Sequence, residues 1–344
     1  MKICYFGHPA HEWSKSTVFF EDILRTVGDL HIFRPNPINV DELLRNAIET
    51  EYDLYVFFQF DFLAYSFLAA GKPVVIIPMI DGSASYGSAH WSYIKNANFV
   101  SFSKSLHSFL KTRGSNSFSI QYWPEPEPFE YPEEKSIYYW PRGVSATINV
   151  RSILKTFESY PELKLRVRAS DSVEWSLDYS RVNSDRLEVL NIETRIEHLN
   201  SLRECCVFVA PRASEGIGHS FLESMSLGRV VIARKYPTMS EYIEGGQNGF
   251  FFRENAKPLP VGIDWRALSK NAHDSVVTGH EQYLLKIHAL SDYIENSALN
   301  KSKSQSVSSI HKFLDLSSAI MRKQKFPEGS FFTLQNWIRM VNRF

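Results

Sequence analysis

The chain has 344 residues, of which 44% are hydrophobic and 14% aromatic, enough for two domains that each bury their own sheet. Lysine plus arginine equals aspartate plus glutamate at 38 each, so no net charge draws the protein to nucleic acid or to anionic lipid. No apolar stretch reaches the roughly 20 residues of a membrane span, and the first apolar run is too short for a signal peptide. We therefore predict a cytoplasmic protein with no nucleic-acid partner.

The cysteines and histidines do not indicate a metal. Cys4 lies in the first predicted strand, while Cys205 and Cys206 are adjacent, a spacing that suits neither disulfides nor tetrahedral zinc. The chain contains neither an HExxH sequence nor an Asp-x-Asp pair. We predict three buried thiols, no metal and no cofactor.

Apolar runs of strand length alternate with helix-like segments over the first part of the chain. The predicted strands are KICYF, LHIF, LYVFFQF, KPVVIIPMI and NFVSFS. Such continuous apolar strands, alternating with helices, are typical of a parallel sheet covered on both faces. We predict a Rossmann-like domain over residues 1–125.

The stretch WPEPEPFEYPEEK contains four prolines and five glutamates, which exclude both a central strand and a stable helix. We predict a linker over 126–135 and a second Rossmann-like domain over 136–265, where strands and helices alternate again. Two such domains place a cleft between the carboxyl ends of two sheets, where these folds bind ligands.

Residues 266–344 are predicted to be helical. The last helix, 329–344, spaces Phe, Leu, Trp, Ile, Met and Val residues at near-helical intervals, with Arg339 and Arg343 between them. Docking onto the first domain is one interpretation, and peripheral contact with the inner face of a membrane is the other.

The most informative segment is 207–252. A buried strand opens into a loop with Gly216 and Gly218, which allow close backbone approach to a ligand, and a helix follows. The unpaired N–H groups at the start of a helix suit the diphosphate of a nucleotide. Glu215 precedes the helix and Glu223 lies on its second turn, so the two carboxylates can contact different parts of one ligand.

The runs EGIGHSFLESMSLGRVVIA, SEYI and GGQNG resemble the signature of retaining glycosyltransferases of family four, in which a similar run starts with EGFG and ends with PVIA. The resemblance is tight over about 45 residues. It implies the GT-B fold, in which two Rossmann-like domains face each other across a cleft, and a nucleotide-sugar donor linked through UDP or GDP.

The same resemblance implies roles for individual residues. Glu223 would accept hydrogen bonds from the ribose hydroxyls, and Glu215 would contact the donor sugar. Backbone N–H groups for sugar and phosphate would come from Gly216, Ile217, Gly218, His219 and Ser220. His219 replaces an apolar family residue, and its side chain is either a phosphate donor or simply exposed. A helix cap and a solvated helix face are the alternative interpretation of the two glutamates.

A departing nucleoside diphosphate needs cations when no metal is present. In the family these come from a Gly-Arg and a Lys-Gly pair after the first strand of the second domain. Arg142 matches the arginine, but proline replaces the glycine and the lysine is missing. The candidates for its replacement are Arg151, Arg212 and Lys235, and a surface charge is the favoured interpretation of each.

In the first domain the family has a histidine after the fourth strand, where this chain has Asp81. We expect Asp81 to bind acceptor hydroxyls or to orient the sugar, and an ordinary Asp-Gly turn is the alternative. His90 is the candidate for the displaced histidine. Gly7 and His8, after the first strand, are assigned to the donor, and His11 and His90 to the acceptor.

The sequence and this resemblance therefore predict a metal-independent glycosyltransferase that moves a sugar from a nucleotide diphosphate to a glycan or lipid-linked glycan. Retention, and a role in surface polysaccharide synthesis such as O-antigen or capsule, are what the resemblance implies. A non-catalytic subunit that binds sugar nucleotides for a partner transferase is the alternative, because the family's lysine and histidine are missing.

Overall fold

The computed structural model describes residues 1–141, 148–169, 179–192, 194–252, 256–300 and 304–323. The chain divides into two compact units. The first contains Met1–Gln121 and residues 283–323, and the second contains Tyr122–Gln282. Each unit is built on one parallel sheet of six strands.

The strands of the first unit are β1 (Lys2–Phe6), β2 (Asp29–Phe33), β3 (Leu54–Phe58), β4 (Val74–Ile77), β5 (Asn98–Ser101) and β6 (Asn116–Ser119). They are arranged in the order β2-β1-β3-β4-β5-β6. The central strands β3 and β4 are buried at every position, which explains why their apolar runs are continuous rather than alternating.

The helices between these strands are α1 (Ala10–Ser14), α2 (Val18–Val27), α3 (Val40–Glu49), α4 (Ala64–Ala69), α5 (Ile80–Ser83), α6 (Ser88–Ile94) and α7 (Lys104–Thr112). A short 3-10 turn, Asp61–Leu63, precedes α4. Apolar residues at helical spacing direct one face of α2 into the core, where Phe20, Ile23 and Leu24 are buried.

The strands of the second unit are β7 (Ser136–Tyr139), β8 (Lys164–Arg168), β9 (Leu187–Leu190), β10 (Val207–Val209), β11 (Val230–Ala233) and β12 (Gly249–Phe251). Their order is β12-β11-β10-β7-β8-β9. The helices are α8 (Val150–Thr156), α9 (Arg195–Glu204), α10 (His219–Ser226) and α11 (Trp265–Ser297), of which the last continues into the first unit.

A final described helix, α12 (Val307–Lys323), buries Leu314 and Met321 in the core of the first unit. Its Ser317 hydroxyl donates to the Phe62 carbonyl at 2.8 Å. The helices predicted beyond residue 265 are thus present, while the predicted last helix, 329–344, lies outside the described residues. Over the described ranges, no helix has both the length and the apolar character that a membrane span requires.

The strand orders place one switch point in each sheet. In the first unit β1 lies beside both β2 and β3, and in the second β7 lies between β8 and β10. Ligands of open parallel sheets bind beyond the carboxyl ends of the strands at such points. The loop after β1 and the loop 210–218 after β10 occupy these positions. The predicted α/β fold with two Rossmann-like sheets is confirmed.

Candidate active site

The loop after β10 brings the predicted donor residues of the second unit together. Gly218 has φ of 88° and forms the N-cap of α10, a left-handed conformation that favours glycine. Ile217 and Ser220 are buried on either side of it. The eight-residue helix α10 then starts at His219, and its first N–H groups have no partners within the helix.

Glu215 is a buried carboxylate, 6% exposed, in this loop. Its Oε2 accepts a hydrogen bond from Arg212 Nη1 at 3.3 Å, while its Oε1 has no hydrogen-bond partner among the described residues. The Thr238 hydroxyl donates to the Glu215 carbonyl at 2.6 Å and also contacts the Gly216 carbonyl at 3.1 Å, which fixes the backbone. A buried polar atom without a partner requires an explanation, and a ligand that binds there is one.

Glu223 lies one turn into α10 and forms an ion pair with Arg195 at the start of α9. Its side chain is 26% exposed and that of Arg195 is 68% exposed. Burial raises the pKa of the Tyr122 hydroxyl, and the negative charge of Glu223 raises it further. Tyr122 therefore lies near Glu223. The Tyr122 ring is 4.9 Å from the half-buried ring of His219. Glu223, His219, Tyr122 and Arg195 therefore form one polar cluster.

Sequence reasoning missed Arg195 and Tyr122. The start of α9 was nevertheless visible, because Thr194 and Glu197 have the spacing of a capping box, and the structure contains that box. Arg195 is the first residue of the capped helix. The signal located the helix, but it did not indicate that α9 would direct an arginine towards Glu223.

Gly218 has a steric role that can be tested. A Cβ on Gly218 would lie 1.9 Å from Cε1 of Phe221, which is fully buried. We expect Gly218→Ala to lower the free energy of unfolding by about 3 kcal/mol, from left-handed strain and overpacking. Gly246 has φ of 85° with no atom within 4 Å of its Cβ position, so Gly246→Ala should cost about 1 kcal/mol of strain.

Urea denaturation followed by circular dichroism measures both variants against the wild type. Equal losses in the two variants would contradict the proposed clash with Phe221.

The arginine and lysine residues predicted to bind the phosphates differ in what they contact. Arg142 lies outside the described residues. Arg212 is paired with Glu215, and the exposed Lys235 lies over the Phe251 ring at 5.9 Å. Arg151 lines a pocket of about 450 Å³ whose other lining residues are Ile148, Asn149, Ser152, Lys155, Arg234, Phe252 and Ala256. Arg212 is thus the candidate that directly contacts a predicted donor residue.

In the first unit, Gly7 and His8 follow β1. A Cβ on Gly7 would lie 2.0 Å from Nη1 of Arg34, so a guanidinium occupies the space beside this glycine. His8 Nδ1 accepts the Ala10 N–H at 3.1 Å. Burial lowers the pKa of His8, and the Arg34 charge lowers it further, which favours a neutral imidazole. The His11 ring lies 5.7 Å from the His8 ring.

Arg34 belongs to a buried group that the sequence did not suggest. Its Nη2 donates to Glu21 Oε1 at 2.6 Å, and the Thr17 hydroxyl donates to the same oxygen at 2.9 Å. The guanidinium also lies 5.5 Å from the centre of the Tyr5 ring. An arginine at the end of β2 therefore supports the loop after β1.

Asp81 and His90 lie after β4. Asp81 is half-buried in the first turn of α5. His90 is buried, with Nδ1 2.5 Å from the Tyr65 hydroxyl. The structure thus places His90 in the interior of the unit, and its role in acceptor binding stays a prediction.

Within the described part of the chain, no group of three or more His, Cys, Asp or Glu side chains is arranged to hold a metal ion. The three cysteines are free and buried. Metal independence itself stays a prediction.

A comparison with protein-family models matches part of the second unit. Residues 179–266 match the family model described as glycosyl transferases group 1, and this segment contains Glu215 and Glu223. A search of curated proteins found no significant match.

Solved structures of similar fold cover most of this chain. The sucrose-phosphate synthase of Thermosynechococcus elongatus has a TM-score of 0.65 and 13% identity, over 86% of this chain and 100% of its own. The lipopolysaccharide outer core galactosyltransferase WaaB in its apo form has a TM-score of 0.56 and 14% identity, over 92% and 99%. Anabaena Alr3699/HepE in complex with UDP has a TM-score of 0.53 and 14% identity, over 93% and 100%.

The chain therefore has the fold of the GT-B glycosyltransferases, and its second unit contains a segment that matches the family model of glycosyl transferases group 1. Sugar transfer is the activity that the fold and this segment together support.

Proposed function

We propose that this protein transfers a sugar from a nucleoside diphosphate to a hydroxyl of a glycan or lipid-linked glycan, with retention and without a metal. The observation that carries the proposal is Glu215, a buried carboxylate whose Oε1 has no partner among the described residues, beside the start of α10. A carboxylate in this position suits the positive charge that develops on a sugar ring as its bond to the leaving group breaks.

The proposed donor residues of the second unit bind different parts of the nucleotide sugar. Glu223 binds the ribose hydroxyls, and the first N–H groups of α10 bind the diphosphate. Arg212 offsets the charge on Glu215 and, with Arg142, stabilises the leaving diphosphate. Asp81, in the first unit, binds the acceptor hydroxyl or orients the sugar.

We propose UDP or GDP as the nucleotide, because Anabaena Alr3699/HepE of the same fold was solved in complex with UDP. The similarity to a lipopolysaccharide outer core galactosyltransferase supports a role in surface polysaccharide synthesis. An acceptor on a lipid carrier would place the protein at the inner face of the membrane, with contact through 329–344.

Thermal unfolding in EDTA with UDP, GDP, ADP, CMP or NAD tests the donor. A ligand present at 100 times its Kd stabilises the folded state by about 2.7 kcal/mol, so one nucleoside diphosphate should raise Tm by about 5 °C. Sugar nucleotides with the same base are then assayed for release of that diphosphate.

The outcomes of this experiment are distinct. A Tm shift with no release from any sugar nucleotide, with or without oligosaccharide acceptors, would favour the non-catalytic subunit. A shift that requires Mg²⁺ or Mn²⁺ would refute metal independence, and no shift with any nucleotide would refute the donor site.

A further inference from the structure

Asp61 is a fully buried carboxylate in the first unit, in the 3-10 turn that follows β3. Removing a carboxylate from water costs several kcal/mol unless hydrogen bonds and charges compensate. Its Oδ1 has no hydrogen-bond partner among the described residues. Burial of this group thus needs an explanation beyond hydrophobic packing.

The bond that Asp61 does make joins it to the segment after β4. The Ser83 hydroxyl donates to Asp61 Oδ2 at 2.5 Å. Because β3 and β4 are parallel neighbours, the residues that follow them meet at the same edge of the sheet. One hydrogen bond therefore connects two consecutive loops at the edge where ligands bind.

Ser83 also closes the turn that contains Asp81. Its N–H donates to the Met79 carbonyl at 2.7 Å, and its hydroxyl oxygen accepts the Met79 N–H at 3.2 Å. The hydroxyl proton is then directed at Asp61. Asp81 lies between the two ends of this closed turn.

His90 lies near the same oxygen of Asp61 that accepts from Ser83. His90 Nε2 lies 3.7 Å from Asp61 Oδ2, and the Tyr65 hydroxyl lies 2.5 Å from Nδ1. When Tyr65 donates to Nδ1, the ring proton is on Nε2, facing the carboxylate. A polar N–H near Asp61 lowers the energy of its buried charge.

We propose that Asp61 and Ser83 are positioning residues that hold the turn 79–83, and with it Asp81, in the geometry that sugar transfer requires. This inference rests on the proposed function, in which Asp81 acts on the acceptor or the sugar. The hydrogen bond from the Ser83 hydroxyl to the Asp61 carboxylate fixes the turn, because it sets both the distance and the direction between these two groups. A displacement of about 1 Å in a reacting group can lower a rate by about 100-fold.

The experiment compares Ser83→Ala with Ser66→Ala, using the sugar nucleotide that releases its diphosphate fastest. Ser66 is a matched control, because it is fully buried in the same unit but its hydroxyl has no hydrogen-bond partner among the described residues. We expect Ser83→Ala to lower kcat about 10-fold with an unchanged KM for the donor, and Ser66→Ala to have no effect.

The double variant Asp81→Ala/Ser83→Ala separates positioning from general destabilisation. Asp81→Ala alone should lower kcat about 100-fold, and adding Ser83→Ala should lower it no further, because residues that act through one another are not additive. Asp61→Asn, which keeps an accepting oxygen, should retain more activity than Asp61→Ala. Amide hydrogen exchange should become faster in residues 79–83 of Ser83→Ala but not of Ser66→Ala.

Wild-type activity in Ser83→Ala would overturn the inference and leave the proposed function intact, provided that Asp81→Ala is impaired. A further loss in the double variant would show that Ser83 acts through stability rather than through Asp81. If Asp81→Ala is as active as the wild type, the role of Asp81 and the inference both fail.

Discussion

Replacing Glu215 by glutamine is expected to lower kcat by about 100- to 1,000-fold while the protein stays folded. Glutamine has nearly the same shape but no charge, so it cannot stabilise positive charge on the sugar ring. That stabilisation is large because Glu215 is buried, and electrostatic interactions are stronger in a medium of low polarity. Steady-state release of the nucleoside diphosphate from its sugar nucleotide measures the effect.

Stability and binding distinguish this role from a structural one. A buried carboxylate with one unpartnered oxygen is costly to the fold, so Glu215→Gln should unfold at or above the wild-type Tm. Its affinity for the free nucleoside diphosphate should change little, because the diphosphate and ribose contacts are proposed to come from α10. If Tm and kcat fall together, Glu215 serves mainly to hold Arg212 in the fold.

Glu244→Gln is the matched control for charge. Glu244 is exposed in the same unit, and its substitution makes the same change in net charge without altering the loop after β10. We expect its kcat to remain within a factor of about two of the wild type, as for surface substitutions away from special features. An equal loss in both variants would contradict the assignment of Glu215.

The sheets were predictable from the sequence because buried parallel strands are continuous apolar runs. LYVFFQF and KPVVIIPMI contain β3 and β4, and both runs are too apolar to be surface segments. Strand β6 was not predicted, because Asn116–Ser119 contains a single large apolar residue between small polar ones. Its place beside β5 depends on pairing, which local hydrophobicity does not encode.

The segment that contains the proposed donor residues stands out in the sequence because these residues are close together in the chain. Glu215, Gly218 and Glu223 lie within one loop and one helix, so their spacing reflects their geometry directly. Arg195 is 28 residues from Glu223, and the sheet order brings the two together. A local pattern cannot indicate such a pair unless the register of several elements is known.

The role of Asp61 could not be recognised from the residues around it in the sequence. The run DFLAYSFLAAG has helical spacing, so nothing local indicates that Asp61 is a buried carboxylate just after β3. The order of adjacent strands contains the missing signal, because residues that follow β3 and β4 must meet. Strand order alone could not predict that His90 is buried, because its burial depends on how α6 packs against Tyr65 and Tyr86.

The second large effect is expected at Glu223. On the proposed role, Glu223→Ala would remove two charge-assisted hydrogen bonds to the ribose and should raise the Kd of the nucleoside diphosphate by about 100-fold. Glu223 is paired with Arg195, so we expect ribose binding to displace that guanidinium. Arg195→Met should therefore strengthen binding, by up to about fivefold, since exposed ion pairs contribute at most about 1 kcal/mol.

Isothermal titration calorimetry measures both affinities, and Arg203→Met provides the control. Arg203 lies on the same helix and is 48% exposed, with its guanidinium 3.7 Å from Glu127, so its removal tests the general loss of positive charge from α9. We expect Arg203→Met to bind as the wild type does. The advantage of Arg195→Met should shrink in high salt, because salt already weakens the exposed ion pair.

The sign of the Arg195→Met effect decides between two arrangements. Stronger binding means that Arg195 competes with the ribose for Glu223, and the nucleotide then binds at the cost of one exposed ion pair. Weaker binding, comparable to that of Glu223→Ala, means that Arg195 contacts the nucleotide itself and that Glu223 holds the guanidinium in place. In that case the ribose contact belongs to another residue, and the assignment of Glu223 is wrong even though the donor site is not.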